Sequence, residues 1–219
     1  MKTILKFVVV VLCFSTMMWA DLNEGFDTVL PAGWAQTNNS SSAGTTNWFQ
    51  GVPAVFTSHS GAADSYIAAN FNGAGFGGNV SEYLFTPTQT LNNGDTLSFW
   101  TRTETGFGAF GDSLEVLLST NGSSTAVGDF TTVLATIAAG SYPESWTNLT
   151  AILSGLGGPT SGRIAFHYVV TDTSANGDYI GIDDVSITAA TAPVPEPMSC
   201  ILVGTGLAGM IARRRKLAK

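Results

Sequence analysis

Residues 163–170 read RIAFHYVV and alternate two classes of side chain along their whole length. The even-numbered positions carry bulky apolar groups, whereas the odd-numbered positions include an arginine and a histidine. Successive side chains of a strand point to opposite faces of a sheet, so this period of two predicts a β-strand with one buried face. No long segment shows the apolar period of 3.6 residues that is typical of an amphipathic helix. The chain is therefore predicted to be all-β.

Two other segments repeat this alternation. In Thr96–Thr103, Leu97 and Phe99 point the same way, and in Ser113–Thr120 three apolar residues share the face opposite Glu115. Asparagine and glycine between such segments supply turns that tolerate positive φ. Many short strands without crossover helices predict an antiparallel β-sandwich, and a jelly roll is the version we expect.

The N-terminus has the pattern of a secretory signal peptide. Two lysines precede an unbroken apolar run, Phe7–Phe14, and a small residue, Ala20, stands before Asp21. A charged start, a short apolar stretch and a small residue at the cleavage point are the marks of such a peptide. We therefore predict a signal peptide over residues 1–20 and a single β-sandwich domain over residues 21–190.

The C-terminus combines a proline-rich linker, a short apolar segment and a basic end. The linker covers 191–197, and the predicted transmembrane helix and basic cytoplasmic tail cover 198–219. Its apolar part, Met198–Ala212, would span roughly 22 Å as a helix, less than the roughly 30 Å of a hydrocarbon core. Local thinning and snorkelling side chains absorb such a mismatch. The basic cluster stays cytoplasmic and places the domain outside; it consists of Arg213, Arg214 and Arg215.

This tail resembles the PEP-CTERM sorting signal of Gram-negative, matrix-producing bacteria, with the motif at Pro195, Glu196 and Pro197. The resemblance implies recognition by an exosortase, an inner-membrane protease of the transpeptidase type, with cleavage near the motif. It also implies that the protein is anchored only transiently in the inner membrane and ends at the cell surface or in the extracellular matrix.

The charge of the domain is strongly acidic. Between Asp21 and Pro193, 15 acidic side chains stand against two basic ones, Arg102 and Arg163. A nucleic-acid binder needs cations to displace the counterions of phosphates, so nucleic acid is excluded as a partner. Such a charge favours solubility and divalent cations. Both cysteines of the chain lie outside the domain, which therefore has no disulfide and no thiolate metal site.

The order of motifs along the domain resembles the choice-of-anchor J and cleaved-adhesin group, a jelly-roll family related in form to MAM domains. The motifs that carry the resemblance are Glu24–Asp27 (EGFD), Leu30–Trp34 (LPAGW), Ser58–Gly61 (SHSG), Tyr83–Pro87 (YLFTP) and Tyr179–Val185 (YIGIDDV). The resemblance implies that the last strand lies near the first and that a structural calcium ion commonly sits there. The ligands implied by the matched motifs are Glu24, Asp27, Asp183 and Asp184, with backbone carbonyls of the SHSG turn as possible additions.

The last motif also has a break in its alternation. Ile180 and Ile182 share one parity, whereas Val185 and Ile187 share the other. If both pairs are buried, the phase slips between them, and a β-bulge at residues 183–184 would produce that slip. Carboxylates at such a bulge suit calcium, which takes six to eight oxygen ligands. The alternative is an acidic pair that is simply exposed.

Motifs of enzymatic chemistry are missing from the sequence. It contains no G-x-S-x-G elbow and no H-E-x-x-H helix, and the glycine-rich stretch Gly73–Gly78 lacks the lysine of a phosphate-binding loop. This stretch and Ala43–Thr46 are predicted as long loops. Trp34 and Trp48 are predicted to be structural. Trp100 alternates away from the apolar face of its strand and is the candidate platform for a sugar ring.

We therefore interpret the chain as a non-enzymatic, exported protein that is adhesive or associated with an extracellular polysaccharide or cell-surface glycan. The alternative is a secreted polysaccharide hydrolase on a jelly-roll scaffold. Glycoside hydrolysis needs two carboxylates across a cleft. The candidates for that pair are Glu104, Asp112 and Glu115.

Overall fold

The computed structural model of the protein describes residues 21–107 and 110–190. The predicted signal peptide, the sorting motif and the predicted transmembrane helix lie outside these ranges. The described ranges contain two short 3-10 turns, Phe71–Gly73 and Val127–Asp129, and no helix in them has the length and apolarity needed to cross a membrane. The remaining elements are strands: β1 (Leu22–Glu24), β2 (Ala35–Asn38), β3 (Ser41–Ala43), β4 (Phe49–Gln50), β5 (Ile67–Asn70), β6 (Ala74–Phe85), β7 (Gln89–Leu91), β8 (Thr96–Thr103), β9 (Ser113–Ser119), β10 (Thr132–Ile137), β11 (Thr147–Ile152), β12 (Thr160–Val170) and β13 (Tyr179–Thr188).

The strands form two antiparallel sheets. One has six strands, in the order β11-β8-β13-β5-β4 with β1 paired to β13. The other has seven, in the order β10-β9-β12-β6-β2, with β3 paired to β6 and β7 paired to β12. The all-β antiparallel sandwich is therefore confirmed, and the last strand pairs with the first.

The core lies between the two sheets and follows the predicted parity. The apolar faces of β8, β9 and β12 all join one cluster of buried side chains. Phe99 of the six-stranded sheet meets Phe166 of the other edge to face, with ring centroids 5.0 Å apart. Trp34 and Trp48 belong to this cluster, which agrees with their predicted structural role.

The two predicted loops are strands in part. Ala43 ends β3, and Ala74 to Gly78 form the start of β6. These segments pair with each other across a register shift between Ser41 and Ala43. Backbone hydrogen bonds suffice for such a pairing, and the small side chains show no alternation from which to predict it.

The bulge in β13 is confirmed. The register between β13 and β8 shifts between Asp183 and Ser186, and Asp184 has a φ of 46°. Because of this shift, residues of both parities on β13 reach the core; they are Ile180, Ile182, Val185 and Ile187.

Candidate functional site

The bulge positions Asp183 so that its carboxylate binds the neighbouring SHSG turn, Ser58–Gly61. Its side chain is fully buried. Oδ2 accepts the backbone N–H groups of His59 and Ser60 at 2.9 and 3.2 Å, and Oδ1 accepts the N–H of Asp184 at 2.7 Å. Burial raises the pKa of Asp183 to about 6, against the lowering effect of these N–H donors. The carboxylate therefore fixes the SHSG turn onto the last strand.

The next residue binds the side chains of the same turn. Asp184 Oδ2 lies 2.7 Å from His59 Nδ1, and its Oδ1 accepts the hydroxyl of Ser60 at 2.7 Å. Glu24 lies on β1 opposite Val185 and accepts the N–H of Phe26 at 2.8 Å. The fold thus brings the first strand, the turn and the bulge together, as the sequence resemblance implied.

Asp27 approaches this assembly from the other end of the turn. Its Oδ1 accepts the hydroxyl of Ser65 at 2.7 Å, and Ser65 Oγ also accepts the N–H of Ala62 at 3.2 Å. All four predicted calcium ligands therefore contact the turn or lie on a strand beside it. In residues 21–107 and 110–190, no group of three or more His, Cys, Asp or Glu side chains converges as a metal site.

The donor chemistry of these residues fits calcium, but Asp183 fits it poorly. Calcium prefers carboxylate and carbonyl oxygens, which this region supplies. Both oxygens of Asp183 already accept backbone N–H groups, which cannot turn away. By contrast, Asp184 and Asp27 accept serine hydroxyls, which can rotate. Asp183 is therefore better suited to hold the turn than to bind an ion.

Trp100 lies on the outer face of the six-stranded sheet and is half-buried. The imidazole of His59 stacks on it with ring centroids 3.8 Å apart and an interplanar angle of 15°. Trp146 lies next to this pair, 6.2 Å from the imidazole, and donates its Nε1–H to the carbonyl of Thr57 at 3.0 Å. One face of the predicted sugar platform is therefore covered by the turn that Asp183 and Asp184 hold.

The three carboxylates of the hydrolase alternative have different surroundings. Asp112 is buried, and its Oδ1 accepts the hydroxyl of Tyr168, whose side chain belongs to the core. Glu115 lies on the outer face of the seven-stranded sheet, where its Oε2 is 3.1 Å from His167 Nδ1. Glu104 lies after β8, near Asp178, whose pKa its charge helps to raise. Asp112 and Glu115 thus lie on opposite faces of the seven-stranded sheet and do not form a glycosidase pair across a cleft.

His167 nevertheless joins a serine to that glutamate. Its Nε2 lies 2.9 Å from Ser81 Oγ, and Tyr83 stacks on its ring at 3.9 Å. Burial lowers the pKa of His167, although Glu115 opposes the shift. With the proton on Nδ1, the imidazole donates to Glu115 and accepts the hydroxyl of Ser81. No local pattern in the sequence indicates this contact, because the three residues come from three different strands.

Sequence reasoning also missed a group of exposed aromatic residues, which we call the phenylalanine end. Its members are Phe71, Phe76, Phe107 and Phe110, with 39, 92, 38 and 42% of their surfaces exposed. The last two contact each other, with ring centroids 5.4 Å apart. They are the aromatic members of the large exposed hydrophobic residues in the described ranges.

The loop of residues 171–178 forms hydrogen bonds with the segments that carry these rings. Thr173 donates to the carbonyls of Gly75 and Gly78, on either side of Phe76. The carbonyl of Asp178 accepts the N–H of Phe71 at 3.1 Å, and its own N–H donates to Asp112, two residues after Phe110. The segments that carry Phe71, Phe76 and Phe110 therefore meet at one end of the sandwich, and Phe107 contacts Phe110 there.

No protein-family model and no curated protein matches the chain. Among solved structures, the K1 cleaved adhesin domain of Lys-gingipain from Porphyromonas gingivalis W83 is similar, with a TM-score of 0.58 and 22% identity over 79% of this chain and 99% of that domain. The K3 cleaved adhesin domain of the same protein gives 0.55 and 23% over 78% of this chain and 100% of that domain. At these identities the likeness concerns the fold alone. The domain is a β-sandwich with the fold of the cleaved adhesin domains.

Proposed function

We propose that the chain is an exported, non-enzymatic protein of the cell surface or extracellular matrix, and that its sandwich binds a neutral glycan through the phenylalanine end. The observation that carries this proposal is the exposure of four phenyl rings on segments that the loop of residues 171–178 contacts. Singly exposed apolar residues are ordinary, whereas a contiguous apolar patch on a soluble domain marks a binding surface. The shared fold of cleaved adhesin domains supports an adhesive role by analogy.

The class of ligand follows from the chemistry of this end. The face of a phenyl ring packs against the C–H groups on one side of a sugar ring, and such contacts need no charge. The domain carries 15 acidic side chains against two arginines, so anionic polymers are repelled. A neutral polysaccharide satisfies both conditions.

The experiment is a binding assay of the purified protein on a glycan array and on neutral exopolysaccharide. We expect Phe76→Ala to weaken binding at least fivefold, because Phe76 is 92% exposed and its truncation leaves the core intact. Ile152→Ala is the matched control, since Ile152 is 69% exposed but lies on β11 of the six-stranded sheet. If the unchanged protein and the Phe76 variant bound the glycan equally well, the phenylalanine end would not be the glycan site.

Trp100 remains the second stacking candidate, through the ring face that His59 leaves uncovered. The same assay tests it with Trp100→Ala. Loss of binding in this variant together with full binding by the Phe76 variant would move the glycan site to the six-stranded sheet.

Delivery to the surface is proposed to depend on the C-terminal tail. The resemblance of Pro195, Glu196 and Pro197 to the PEP-CTERM motif supports processing by an exosortase. We expect deletion of residues 194–219 to abolish the size change that accompanies processing, and alanine at the three motif positions to do the same with the apolar segment intact. An unchanged size and location of both variants would contradict the sorting role.

A structural calcium ion is proposed where β1 meets the bulge of β13. Glu24, Asp27 and Asp184 would hold it, while Asp183 keeps the turn in place through backbone N–H groups. A bound calcium ion would neutralise these carboxylates and so link the first strand to the last. The expected result of removing it by chelation is a lower melting temperature, which Asp27→Asn should make less dependent on the chelator.

A second candidate function is the hydrolysis of acyl esters, and it rests on the contacts of His167 alone. Ser81, His167 and Glu115 have the hydrogen-bond order of a nucleophile, a base and an orienting acid. The N–H of Ser81 donates to Ser40 Oγ, so oxyanion donors would have to come from elsewhere. Hydrolysis of p-nitrophenyl acetate that Ser81→Ala abolishes would establish this activity, and equal rates for the two proteins would exclude it.

A further inference from the structure

A second acidic pair lies at the phenylalanine end, away from the bulge. Asp112 immediately precedes β9, and Asp178 immediately precedes β13. Asp112 Oδ1 accepts the N–H of Asp178 at 3.0 Å and the hydroxyl of Tyr168 at 2.5 Å. Five extended residues separate Asp178 from Asp183, which corresponds to roughly 16 Å of strand. The pair is therefore distinct from the calcium site proposed at the bulge.

The two carboxylates leave buried oxygens without partners. Asp112 is 1% exposed, yet its Oδ2 accepts no hydrogen bond, and the buried Oδ2 of Asp178 accepts none either. Buried polar atoms are almost always paired, and an unpaired carboxylate oxygen is among the costliest exceptions. Two such oxygens on hydrogen-bonded neighbours indicate a partner other than the residues that the structure describes.

No described side chain supplies the missing positive charge. Arg163 donates to groups around Thr86 and Thr88, and Arg102 donates to the carbonyls of Thr103 and Glu144. Burial first, and then the negative charges of Asp112 and Glu104, raise the pKa of Asp178 to about 6. Neither arginine of residues 21–107 and 110–190 therefore pairs with the two carboxylates.

We propose that Asp112 and Asp178 hold a divalent cation of the calcium type at the base of the phenylalanine end. The two unpaired carboxylate oxygens are hard ligands, which suit calcium rather than zinc or copper. Only two carboxylates belong to the pair, so carbonyl oxygens and water complete the coordination. Sites of this low charge in extracellular modules bind calcium with dissociation constants of roughly 10⁻⁴ to 10⁻³ M.

The ion has a structural consequence for the surface above it. Asp178 belongs to the loop that contacts the segments of Phe71 and Phe76, and Asp112 follows Phe110. A cation between the two carboxylates would therefore fix these segments relative to one another. If the phenylalanine end binds a glycan, that binding should therefore depend on calcium. Only this expectation rests on the proposed function; the cation site itself does not.

The test is a calcium titration of the full chain after chelation, followed by calorimetry and thermal unfolding. In chelator, we expect Asp178→Asn to melt at a higher temperature than the unchanged protein, because one of two repelling charges is removed. In millimolar calcium, we expect the order to reverse, and the variant to have lost one binding event. Asp172→Asn is the matched control, since Asp172 lies in the same loop and is exposed.

Terbium luminescence gives an independent readout. Terbium replaces calcium in oxygen sites and is excited by a nearby tyrosine, so the hydroxyl contact between Tyr168 and Asp112 predicts sensitised emission. We expect Asp112→Asn and Asp178→Asn each to remove the part of this emission that tyrosine sensitises. Asp27→Asn, in the calcium site proposed beside the bulge, should preserve that part. The proposal would be overturned if Asp178→Asn bound the ion and emitted as the unchanged protein does. It would also be overturned if the unchanged protein bound no ion. Neither result depends on whether a glycan binds.

Discussion

Four carboxylates are buried in the described part of the sandwich; they belong to Glu82, Asp95, Asp112 and Asp183. The surroundings of Asp183, Asp112 and Glu82 differ. Asp183 accepts three backbone N–H groups, and Asp112 accepts a phenol and one N–H. Glu82 accepts only the amide of Asn38, at 3.3 Å, and its Oε2 has no partner. Since a charged carboxylate needs donors in place of water, Glu82 is the one whose ionisation folding opposes most. Burial raises the pKa of Glu82 to about 8.

This shift predicts how stability depends on pH. Between pH 4.5 and 8 the unfolded chain has released the Glu82 proton while the folded chain keeps it, so stability falls as the pH rises through this range. Each pKa unit corresponds to about 1.4 kcal/mol, so the loss amounts to a few kcal/mol. We expect Glu82→Gln to be more stable than the unchanged protein at pH 9 by roughly 2 kcal/mol or more, and nearly equal to it at pH 4.5, as measured by urea unfolding.

The difference in free energy of unfolding between Glu82→Gln and the unchanged protein reports on Glu82 alone, because the other acids with a raised pKa are present in both proteins. Asp64→Asn serves as the control because Asp64 is exposed, and it should leave the pH profile unchanged. A constant difference between the Glu82 variant and the unchanged protein across this pH range would show that Glu82 ionises in the fold as freely as in water.

At the scale of the element, β13 connects several parts of the fold. It pairs with β1, β5 and β8, and its bulge supplies both the core contacts and the clamp on the SHSG turn. The parity break from Ile182 to Val185 was enough to predict this bulge from sequence, because a strand that buries both parities must slip. That Asp183 holds the N–H groups of His59 and Ser60 could not be predicted, because these two partners are more than 120 residues away in the chain.

The bulge also fixes an unusual backbone conformation, with Asp184 at a φ of 46°. A β-branched residue is strained there, whereas asparagine tolerates this region. We expect Asp184→Val to be less stable than Asp184→Asn by roughly 1 to 2 kcal/mol, as measured by urea unfolding in the presence of chelator. Both variants remove the same charge, so their difference reports on the backbone together with the Ser60 hydroxyl, which asparagine can still accept and valine cannot. Equal midpoints would mean that the bulge takes another conformation when the aspartate is replaced.

At the scale of the whole molecule, the sequence was sufficient where neighbouring residues decide the structure and insufficient where distant ones meet. Thr96–Thr103 was predicted with its observed bounds, since its own alternation defines the strand. The start of β6 was missed because Gly75, Gly77 and Gly78 carry no alternation. The phenylalanine end and the Asp112 pair require three separate segments to converge, and no local pattern marks that convergence.

The acidity of the domain predicts a dependence of stability on salt that belongs to no single pair. With 15 acidic side chains against two arginines, folding brings like charges together at distances that water screens only partly. The screening length falls from about 30 Å at 0.01 M salt to about 8 Å at 0.15 M. We therefore expect the melting temperature to rise by a few degrees between these two concentrations of sodium chloride, in the presence of chelator. Potassium chloride should give the same rise, because screening does not depend on which monovalent ion is used. At pH 4.5, where many carboxyl groups are protonated, the rise should shrink, and a melting temperature that falls with salt at pH 7 would show that attractive pairs outweigh the repulsion.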